Sequence, residues 1–200
     1  MRLKDNKDNM DSQEMLFERL PEGLPIPGDD GACNHLLGES IPSVSLLSTE
    51  GNWIDLSSRA TRRTVVYCYP MTGVPGKAMP KDWDMIPGAR GCTPEACSFR
   101  DYHAELQQLG AEVFGLSTQT REYQREMIDR LHVPFEVLSD SELRFATALK
   151  LPLLEVEGLK LIRRLTLILN KGVIEKVFYP VFPSDTAAET VTTWLREHPL

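Results

Sequence analysis

Short apolar segments alternate along the chain with longer segments whose apolar positions have helical spacing. The continuous run Thr64–Tyr69 is typical of a strand that is buried on both faces of a sheet. Two shorter strands, Ser43–Ser48 and Asn52–Leu56, are separated by a turn that contains Gly51, and they predict a hairpin.

The later elements follow from the same patterns. Thr93–Leu109 has apolar residues at helical spacing, and Gly110 provides its C-terminal stop. The other predicted elements are a strand at Glu112–Leu116, a helix at Thr120–Leu131, a strand at Phe135–Leu138, a helix at Ser141–Leu149, a hairpin of Arg164–Leu169 with Val173–Tyr179, and a helix at Ala187–Glu197. This order predicts an α/β fold, with a central mixed sheet flanked by helices on both faces.

Two segments lack this periodicity. Residues 1–20 are polar and charged, and they favour only one short amphipathic helix through Met15, Leu16, Phe17 and Leu20; a Pro- and Gly-rich strap follows. We therefore expect an arm and an irregular strap at residues 1–37 and one domain at residues 38–200. The second irregular segment is the long loop between Pro70 and Gly91, and loops of that length in a domain are usually functional or mobile.

Composition narrows the classes of function. The chain has 200 residues, a formal net charge of −7 and four cysteines. The acidic balance argues against nucleic acid and against an anionic membrane surface. The polar N-terminus has no apolar signal core and no segment is long enough to span a membrane, so we expect a cytoplasmic protein. Cysteines in that compartment are more often catalytic or redox-sensing thiols than a disulfide scaffold.

Cys92 and Cys97 carry the candidate chemistry. They lie in the run Gly-Cys-Thr-Pro-Glu-Ala-Cys-Ser-Phe-Arg-Asp, at the predicted start of a helix. A thiolate at a helix N-terminus faces unpaired N–H groups and the positive end of the helix dipole, so we expect its pKa to fall and its nucleophilicity to rise. Cys92 is the better placed of the two. The alternative interpretation is one buried thiol with an inert neighbour, because free cysteine is often a small core residue.

The spacing of the pair has a structural consequence. Residues five apart on an intact α-helix lie about 8.7 Å apart by Cα. A disulfide needs Cα atoms within about 7 Å. If Cys92 and Cys97 form a disulfide, the first turns of the helix must unwind.

These motifs together resemble the peroxiredoxins, and most closely the Q group, also called bacterioferritin-comigratory proteins. The likeness covers about residues 38–195. It rests on a buried strand that ends in Tyr-Pro, the Gly-Cys-Thr-x-Glu-Ala-Cys-x-Phe-Arg-Asp helix start, Gly-Leu-Ser-Thr at 115–118, Leu-Ser-Asp at 138–140 and Arg-Leu-Thr-Leu-Ile-Leu at 164–169. The resemblance implies a thioredoxin-like fold and a thiol peroxidase that uses no metal or organic cofactor.

The resemblance also assigns roles. Cys92 is the peroxidatic cysteine, which becomes a sulfenic acid, and Cys97 is the resolving cysteine, which condenses with it to an intramolecular disulfide. Pro70 matches the proline that shields the reactive thiol from water. Arg164 matches the arginine that stabilises the thiolate and the charge that develops as the O–O bond breaks. Its neighbour Arg163 could be confused with it, and the alternative interpretation of Arg164 is an ordinary charge at the start of a strand. The family's substrates are hydrogen peroxide and organic hydroperoxides, and its reductant is thioredoxin or a similar dithiol protein.

One departure concerns a hydroxyl group. The family has a threonine three residues before the peroxidatic cysteine, where this chain has Ala89, and the segment from Pro70 to Cys92 is about fifteen residues longer than in the family pattern. We expect Thr72 to supply the missing hydroxyl, with the inserted residues folding outward as a flap and Trp83 covering the apolar side of the pocket. Thr93 is the other candidate.

Other chemically active side chains give weaker signals. We expect Cys68 to be core packing. Cys33, followed by His35, fits no common zinc pattern. His103 is off the face of the helix that carries Cys97, and Glu95 and Asp101 are expected to face solvent. The aromatic run at 177–183 is expected to pack in the core, with a rim for alkyl hydroperoxides or a dimer contact as alternatives.

Two other functions stay open at this stage: a thioredoxin-like protein disulfide oxidoreductase, and a non-enzymatic redox sensor or holdase. A Cys-x-x-Cys motif would favour the first, and it is absent. We expect a monomer or a homodimer.

Overall fold

A seven-stranded mixed sheet forms the centre of the computed structural model, which describes residues 19–59 and 62–200. The spatial order of the strands is β2-β1-β5-β4-β3-β8-β9, and β6 with β7 forms a separate hairpin. The strands are β1 Ser45–Ser48, β2 Trp53–Asp55, β3 Arg63–Cys68, β4 Ala111–Ser117, β5 Val137–Ser139, β6 Leu153–Val156, β7 Leu159–Ile162, β8 Leu165–Asn170 and β9 Val173–Phe178. The α/β, thioredoxin-like fold predicted from the sequence is confirmed.

Five α-helices lie in the described part of the chain. They are α1 Cys92–Asp101, α2 His103–Gln108, α3 Arg121–Leu131, α4 Arg144–Ala148 and α5 Ala187–Glu197. The sequence predicted one helix at 93–109, and nearly all of this range is helical. The helix is interrupted at Tyr102, so that α1 ends at Asp101 and α2 begins at His103. Parallel pairing of β3 with β4 and of β4 with β5 requires crossovers, which α1 with α2 and α3 provide.

Strand β3 explains why the core has two halves. All six of its residues are buried. Val66 and Cys68 belong to the apolar cluster on one face of the sheet, and Val65 and Tyr67 to the cluster on the other. The period-two alternation of a strand thus presents apolar side chains to both layers, as its continuous apolar sequence predicts. The carboxyl end of this strand delivers Pro70 to the region described below.

The hairpin of β6 and β7 was not predicted. Its turn is Glu157-Gly158, with positive φ at both residues, the backbone of a type I′ turn. Leu161 from this hairpin packs with Met71, Trp83 and Ala89 in a small apolar cluster. The long loop therefore folds back onto the body of the protein, and Trp83, 3% exposed, anchors it.

Residues 19–39 contain no helix or strand, as expected of a strap. Cys33 and Leu36 from this segment are buried in the main core, so the strap is attached at its C-terminal end. Of the amphipathic helix predicted through Met15, Leu16, Phe17 and Leu20, only Leu20 lies within the described residues, and it is not helical. The division into residues 1–37 and 38–200 stays a prediction. None of the helices in the described ranges is long and apolar enough to cross a membrane.

Candidate active site

Helix α1 begins at Cys92, and the residue before it can only be glycine. Gly91 has φ of 109°, in the region that residues with a side chain rarely adopt. A Cβ atom there would collide with Ser184 and lie 2.6 Å from Leu20 Cδ2. The close approach of these two side chains fixes the first turn of α1, and with it the position of the Cys92 thiol.

The Cys92 sulfur lies among polar groups although the residue is 3% exposed. Arg164 Nη2 donates to the sulfur at 3.1 Å, and the backbone N–H of Met71 also donates to it. The sulfur in turn lies 3.5 Å from the carbonyl oxygen of Ala89, to which the thiol donates. The site can therefore stabilise a negative charge on sulfur with one cation and one backbone dipole.

Arg164 is itself held by three acceptors besides the sulfur. Its Nη2 donates to the carbonyl oxygens of Ala89 at 3.1 Å and Arg90 at 3.2 Å, and its Nη1 pairs with the Glu95 carboxylate. Both side chains of that ion pair are almost fully buried. The planar guanidinium fork uses its separate N–H groups to hold the loop, the carboxylate and the thiol in one arrangement.

The buried position of Glu95 corrects the sequence-based expectation that it faces solvent. Glu95 is 0% exposed, on the first turn of α1, where its carboxylate reaches Arg164 instead of water. The expectation was correct for Asp101, whose exposed carboxylate pairs with Arg100. A buried arginine that must be neutralised is the physical reason for the difference.

The pKa of Cys92 also differs from expectation. Burial raises the pKa of the Cys92 thiol above its ordinary value, the Arg164 charge opposes this, and the Glu95 charge adds to the increase. The predicted net fall is wrong for this closed site, because loss of water outweighs the favourable charge. Burial likewise raises the pKa of Glu95, to about 7, although Arg164 acts in the opposite direction. One guanidinium therefore serves two acids that compete for it.

Cys97 lies on the same intact helix and is half-buried, and both cysteines are free thiols. Its side chain packs against the cluster that contains Cys92 and Phe99. With α1 intact, the two Cα atoms are about 8.7 Å apart by helix geometry, beyond the reach of a disulfide. This is the reduced, folded arrangement of the pair.

Thr72 and Thr93 are both buried, and Ala89 is 0% exposed. The Thr72 hydroxyl donates to Gln119 Oε1 at 3.2 Å, and the Thr72 backbone N–H donates to the same oxygen at 3.0 Å. Thr72 follows Met71, whose N–H contacts the reactive sulfur. Its role as the replacement hydroxyl stays a prediction.

Pro70 is buried and lines a cavity of about 230 Å³ together with Arg164. Most of the other lining residues are apolar, and they come from five separate segments: Pro27, Gly28, Ile86, Pro87, Gly88, Leu154, Arg163, Tyr179, Pro180 and Val181. Tyr179 and Val181, from the aromatic run at 177–183, thus line this cavity. A position at the rim of the pocket was one of the alternatives to core packing that the sequence left open. Trp83 is not among the lining residues. It packs in the small apolar cluster with Leu161 and anchors the loop there.

Arg163 and Arg164 are neighbours in sequence with different environments. Arg163 is partly exposed and pairs with Asp30 at 2.6 Å, and it also donates to the Tyr179 hydroxyl. Arg164 is 3% exposed and faces the thiol. The structure therefore brings Arg164, and not Arg163, to the Cys92 sulfur.

The remaining candidates lie apart from this site. Cys68 is fully buried in the sheet, as expected. Cys33 is a core residue whose pKa burial raises to about 12, and His35 Nε2 lies 2.9 Å from the Leu149 carbonyl. The His103 ring lies 5.4 Å from the Phe135 ring, measured between centroids, and is tilted by 47° to it. Within residues 19–59 and 62–200, no group of three or more His, Cys, Asp or Glu side chains is placed to hold a metal ion.

Sequence reasoning missed two residues of the site. Met71 acts through its backbone, for which a sequence gives no signal. Glu95 had one: an acidic residue three positions after the thiol lies on nearly the same face of a helix, and a buried arginine needs a partner.

Known proteins resemble this chain in sequence and in fold. Residues 36–193 match the family profile described as Redoxin. The chain is 31% identical over 112 residues to Peroxiredoxin Bcp of Bacillus subtilis (strain 168), covering 56% of this chain and 62% of that protein. It is 28% identical over 170 residues to Peroxiredoxin Bcp of Escherichia coli (strain K12), covering 80% of this chain and 96% of that one.

The crystal structure of Peroxidoxin BcpB from Mycobacterium tuberculosis superposes with a TM-score of 0.67 at 22% identity, and it covers 83% of this chain and 100% of that one. This likeness supports the fold. The matched segment spans less than two thirds of the Bacillus relative. On the profile match over most of its length, the chain belongs to the redoxin family, and the known proteins that it resembles include Bcp peroxiredoxins.

Proposed function

We propose that the protein is a thiol peroxidase that reduces hydrogen peroxide and organic hydroperoxides, with Cys92 as the peroxidatic and Cys97 as the resolving cysteine. The observation that carries this proposal is the 3.1 Å contact between Arg164 Nη2 and the Cys92 sulfur at the start of α1. A cation held at that distance lowers the cost of the thiolate and of the alkoxide or hydroxide that leaves the peroxide.

The chemistry has three balanced steps. The Cys92 thiolate attacks the terminal oxygen of the hydroperoxide; the O–O bond breaks, an S–O bond forms, and the departing alkoxide takes a proton to give the alcohol. The Cys92 sulfenic acid then condenses with the Cys97 thiol, which forms the disulfide and releases water. A dithiol reductant, thioredoxin or a similar protein, exchanges with this disulfide and restores both thiols.

The burial of Cys92 favours a small substrate. With 3% of the residue exposed, a peroxide can reach the sulfur through a cavity, whereas the disulfide of a folded protein cannot. This argues against a disulfide oxidoreductase that uses Cys92 as its attacking thiol. The mostly apolar cavity beside Pro70 and Arg164 suits the organic part of a hydroperoxide. Pro70 then has the role of excluding water from the thiol, and Thr72 that of orienting the peroxide.

The test is peroxide consumption coupled to thioredoxin, thioredoxin reductase and NADPH, with Cys92→Ser as the matched control. We expect NADPH oxidation that depends on both peroxide and Cys92. A protein that forms the Cys92–Cys97 disulfide once but does not turn over with any dithiol reductant would instead be a redox sensor. In keeping with its reducing partner, we assign the protein to the cytoplasm, as a monomer or homodimer.

A further inference from the structure

Thr72 is held at three of its polar atoms by residues that follow β4. Gln119 Oε1 accepts from the Thr72 backbone N–H at 3.0 Å and from the Thr72 hydroxyl at 3.2 Å. The Tyr123 hydroxyl donates to the Thr72 carbonyl oxygen at 3.0 Å. Gln119 is 7% exposed and Thr72 is 0% exposed, so these contacts are shielded from water.

The direction of these hydrogen bonds can be assigned without seeing hydrogen atoms. A backbone N–H can only donate, so the Gln119 atom that faces it must be the amide oxygen and not the nitrogen. The Thr72 hydroxyl shares that same oxygen and must therefore donate to it as well. Its single proton is thus committed to Gln119, and its lone pairs are left to accept a hydrogen bond.

The side-chain oxygen of Gln119 accepts these two hydrogen bonds, whereas the side-chain nitrogen is less well satisfied. Its Nε2 is buried beside the Tyr123 hydroxyl and makes no hydrogen bond of normal geometry within the described residues. A buried amide nitrogen without an acceptor is unfavourable, whereas a glutamine that served packing alone would be free to satisfy both ends. The hydrogen bonds that fix this side chain are therefore the two that its oxygen accepts from Thr72.

Thr72 directly follows the residue whose backbone N–H donates to the reacting sulfur. The preceding residue, Met71, donates its N–H to the Cys92 sulfur, and Pro70 before it lines the cavity with Arg164. A hydroperoxide whose terminal oxygen faces Cys92 has one O–H, which needs an acceptor. Arg164 and the Met71 N–H are donors only. The Ala89 carbonyl oxygen, 3.5 Å from the sulfur, already accepts from Arg164 Nη2 at 3.1 Å.

We propose that Gln119 is a positioning residue that holds the Thr72 hydroxyl as the acceptor for the O–H of the hydroperoxide, and so orients the O–O bond toward Cys92. This inference rests on the proposed peroxidase function. It gives the loop after β4 a part in the reaction, although Gln119 itself touches neither substrate nor sulfur.

The test is a double-mutant cycle on the second-order rate constant for oxidation of Cys92 by hydrogen peroxide, measured by stopped flow. We use Thr72→Val, Gln119→Met and the double variant. Losing a hydrogen bond to the reacting group lowers the rate by the order of 10- to 100-fold. We expect each single variant to fall in this range and the double variant to be no slower than Thr72→Val, because Gln119 acts through Thr72.

Two controls separate positioning from structural damage. Alkylation of Cys92 by iodoacetamide, which has no hydroperoxide O–H to orient, is expected to keep its wild-type rate in all three variants. Thr118→Val removes a neighbouring hydroxyl that has no partner among the described residues, and it is expected to keep the wild-type peroxide rate.

Several results would overturn the inference. They are a wild-type peroxide rate in Gln119→Met, losses that multiply in the double variant, or a parallel fall in alkylation that indicates general damage. Slow Thr93→Val with normal Thr72→Val would place the hydroxyl at the helix start instead. If the wild-type protein does not consume peroxide at all, the proposed function fails; if it does and the cycle is additive, only the role of Gln119 fails.

Discussion

Arg164 lies between the Cys92 thiol, which is 3.1 Å from its Nη2, and the Glu95 carboxylate, which pairs with its Nη1. All three residues are buried. The single positive charge is therefore shared by two acids, and any change in one of them alters what the guanidinium offers the other.

Arg164→Lys is expected to slow oxidation of Cys92 by hydrogen peroxide by the order of 100-fold, the scale of losing one preorganised donor at a developing charge. A lysine keeps the charge but cannot donate to the sulfur, the loop carbonyls and the carboxylate at once. The measurement is stopped-flow oxidation at fixed pH. Arg163→Lys is the matched control, because this neighbour faces Asp30 and not the thiol. Equal losses in the two variants would contradict the assignment.

Glu95→Gln is expected to lower the pKa of Cys92, because the Glu95 charge raises it. The measurement is the pH dependence of Cys92 alkylation by iodoacetamide, and its midpoint is expected at lower pH in the variant. An unchanged or higher midpoint would show that the two acids do not compete for Arg164.

The same substitution is expected to change how the free energy of unfolding depends on pH. The pKa of Glu95 is about 7 in the folded protein, above its ordinary 4.5. Between those pH values the folded state binds more protons than the unfolded state, so its stability falls as pH rises through this window. Glu95→Gln is expected to lack this loss, which amounts to about 3 kcal/mol for a buried group. Denaturant unfolding of both proteins between pH 4.5 and pH 7.5 provides the check; parallel curves would contradict the prediction.

The two cysteine variants are expected to fail at different steps. Cys92→Ser loses the reaction with peroxide, because a serine hydroxyl is not ionised at neutral pH. Cys97→Ser keeps the first turnover and loses recycling by thioredoxin. Single-turnover oxidation and the coupled assay separate these outcomes. A Cys97→Ser protein that fails even in the first turnover, or a Cys92→Ser protein that still reacts, would reverse the roles.

The sheet could be predicted from the sequence because the residues of its central strand show the apolar pattern of a buried strand by themselves. Thr64–Tyr69 has no polar face, and such a run reads as a strand between two layers in any context. The hairpin of β6 and β7 was missed because its Glu157-Gly158 turn lies between residues of mixed polarity, and its partners are the long loop rather than the sheet. The break of the helix at Tyr102 was missed because helical spacing continues across it.

Sequence motifs predicted those residues of the site that belong to a motif. Cys92, Cys97 and Arg164 were chosen by pattern. The motif does not show which side chains are buried. Glu95 is predicted to be a surface charge unless the arginine opposite it is known to be buried. The pKa of Cys92 likewise depends on how completely water is excluded from the thiol. Gln119 gave no signal, because its importance lies in the orientation of one hydroxyl 47 residues away in sequence.

The strap gives the last prediction. Disulfide formation requires the first turns of α1 to unwind, and in the folded state Leu20 packs over Gly91 while the Ser184 hydroxyl donates to the Gly91 carbonyl at 2.9 Å. Contacts that exist only in the folded state oppose unwinding. Leu20→Ala removes part of a half-buried side chain, a loss of about 1 kcal/mol in the folded state.

We therefore expect the Cys92 sulfenic acid to form its disulfide with Cys97 about fivefold faster in Leu20→Ala, a change of the size given by that free energy. The rate of the preceding reaction with peroxide is expected to stay unchanged, because Leu20 packs on Gly91 and makes no contact with the sulfur among the described interactions. Rapid-quench alkylation follows formation of the disulfide, and Ile26→Ala, at a strap position that is 74% exposed, is the control.

Hydrogen exchange of residues 91–98 is expected to be faster in the oxidised protein than in the reduced one. Equal protection in both states, or a slower disulfide in Leu20→Ala, would mean that unwinding of α1 does not limit this step and that the strap has no part in it.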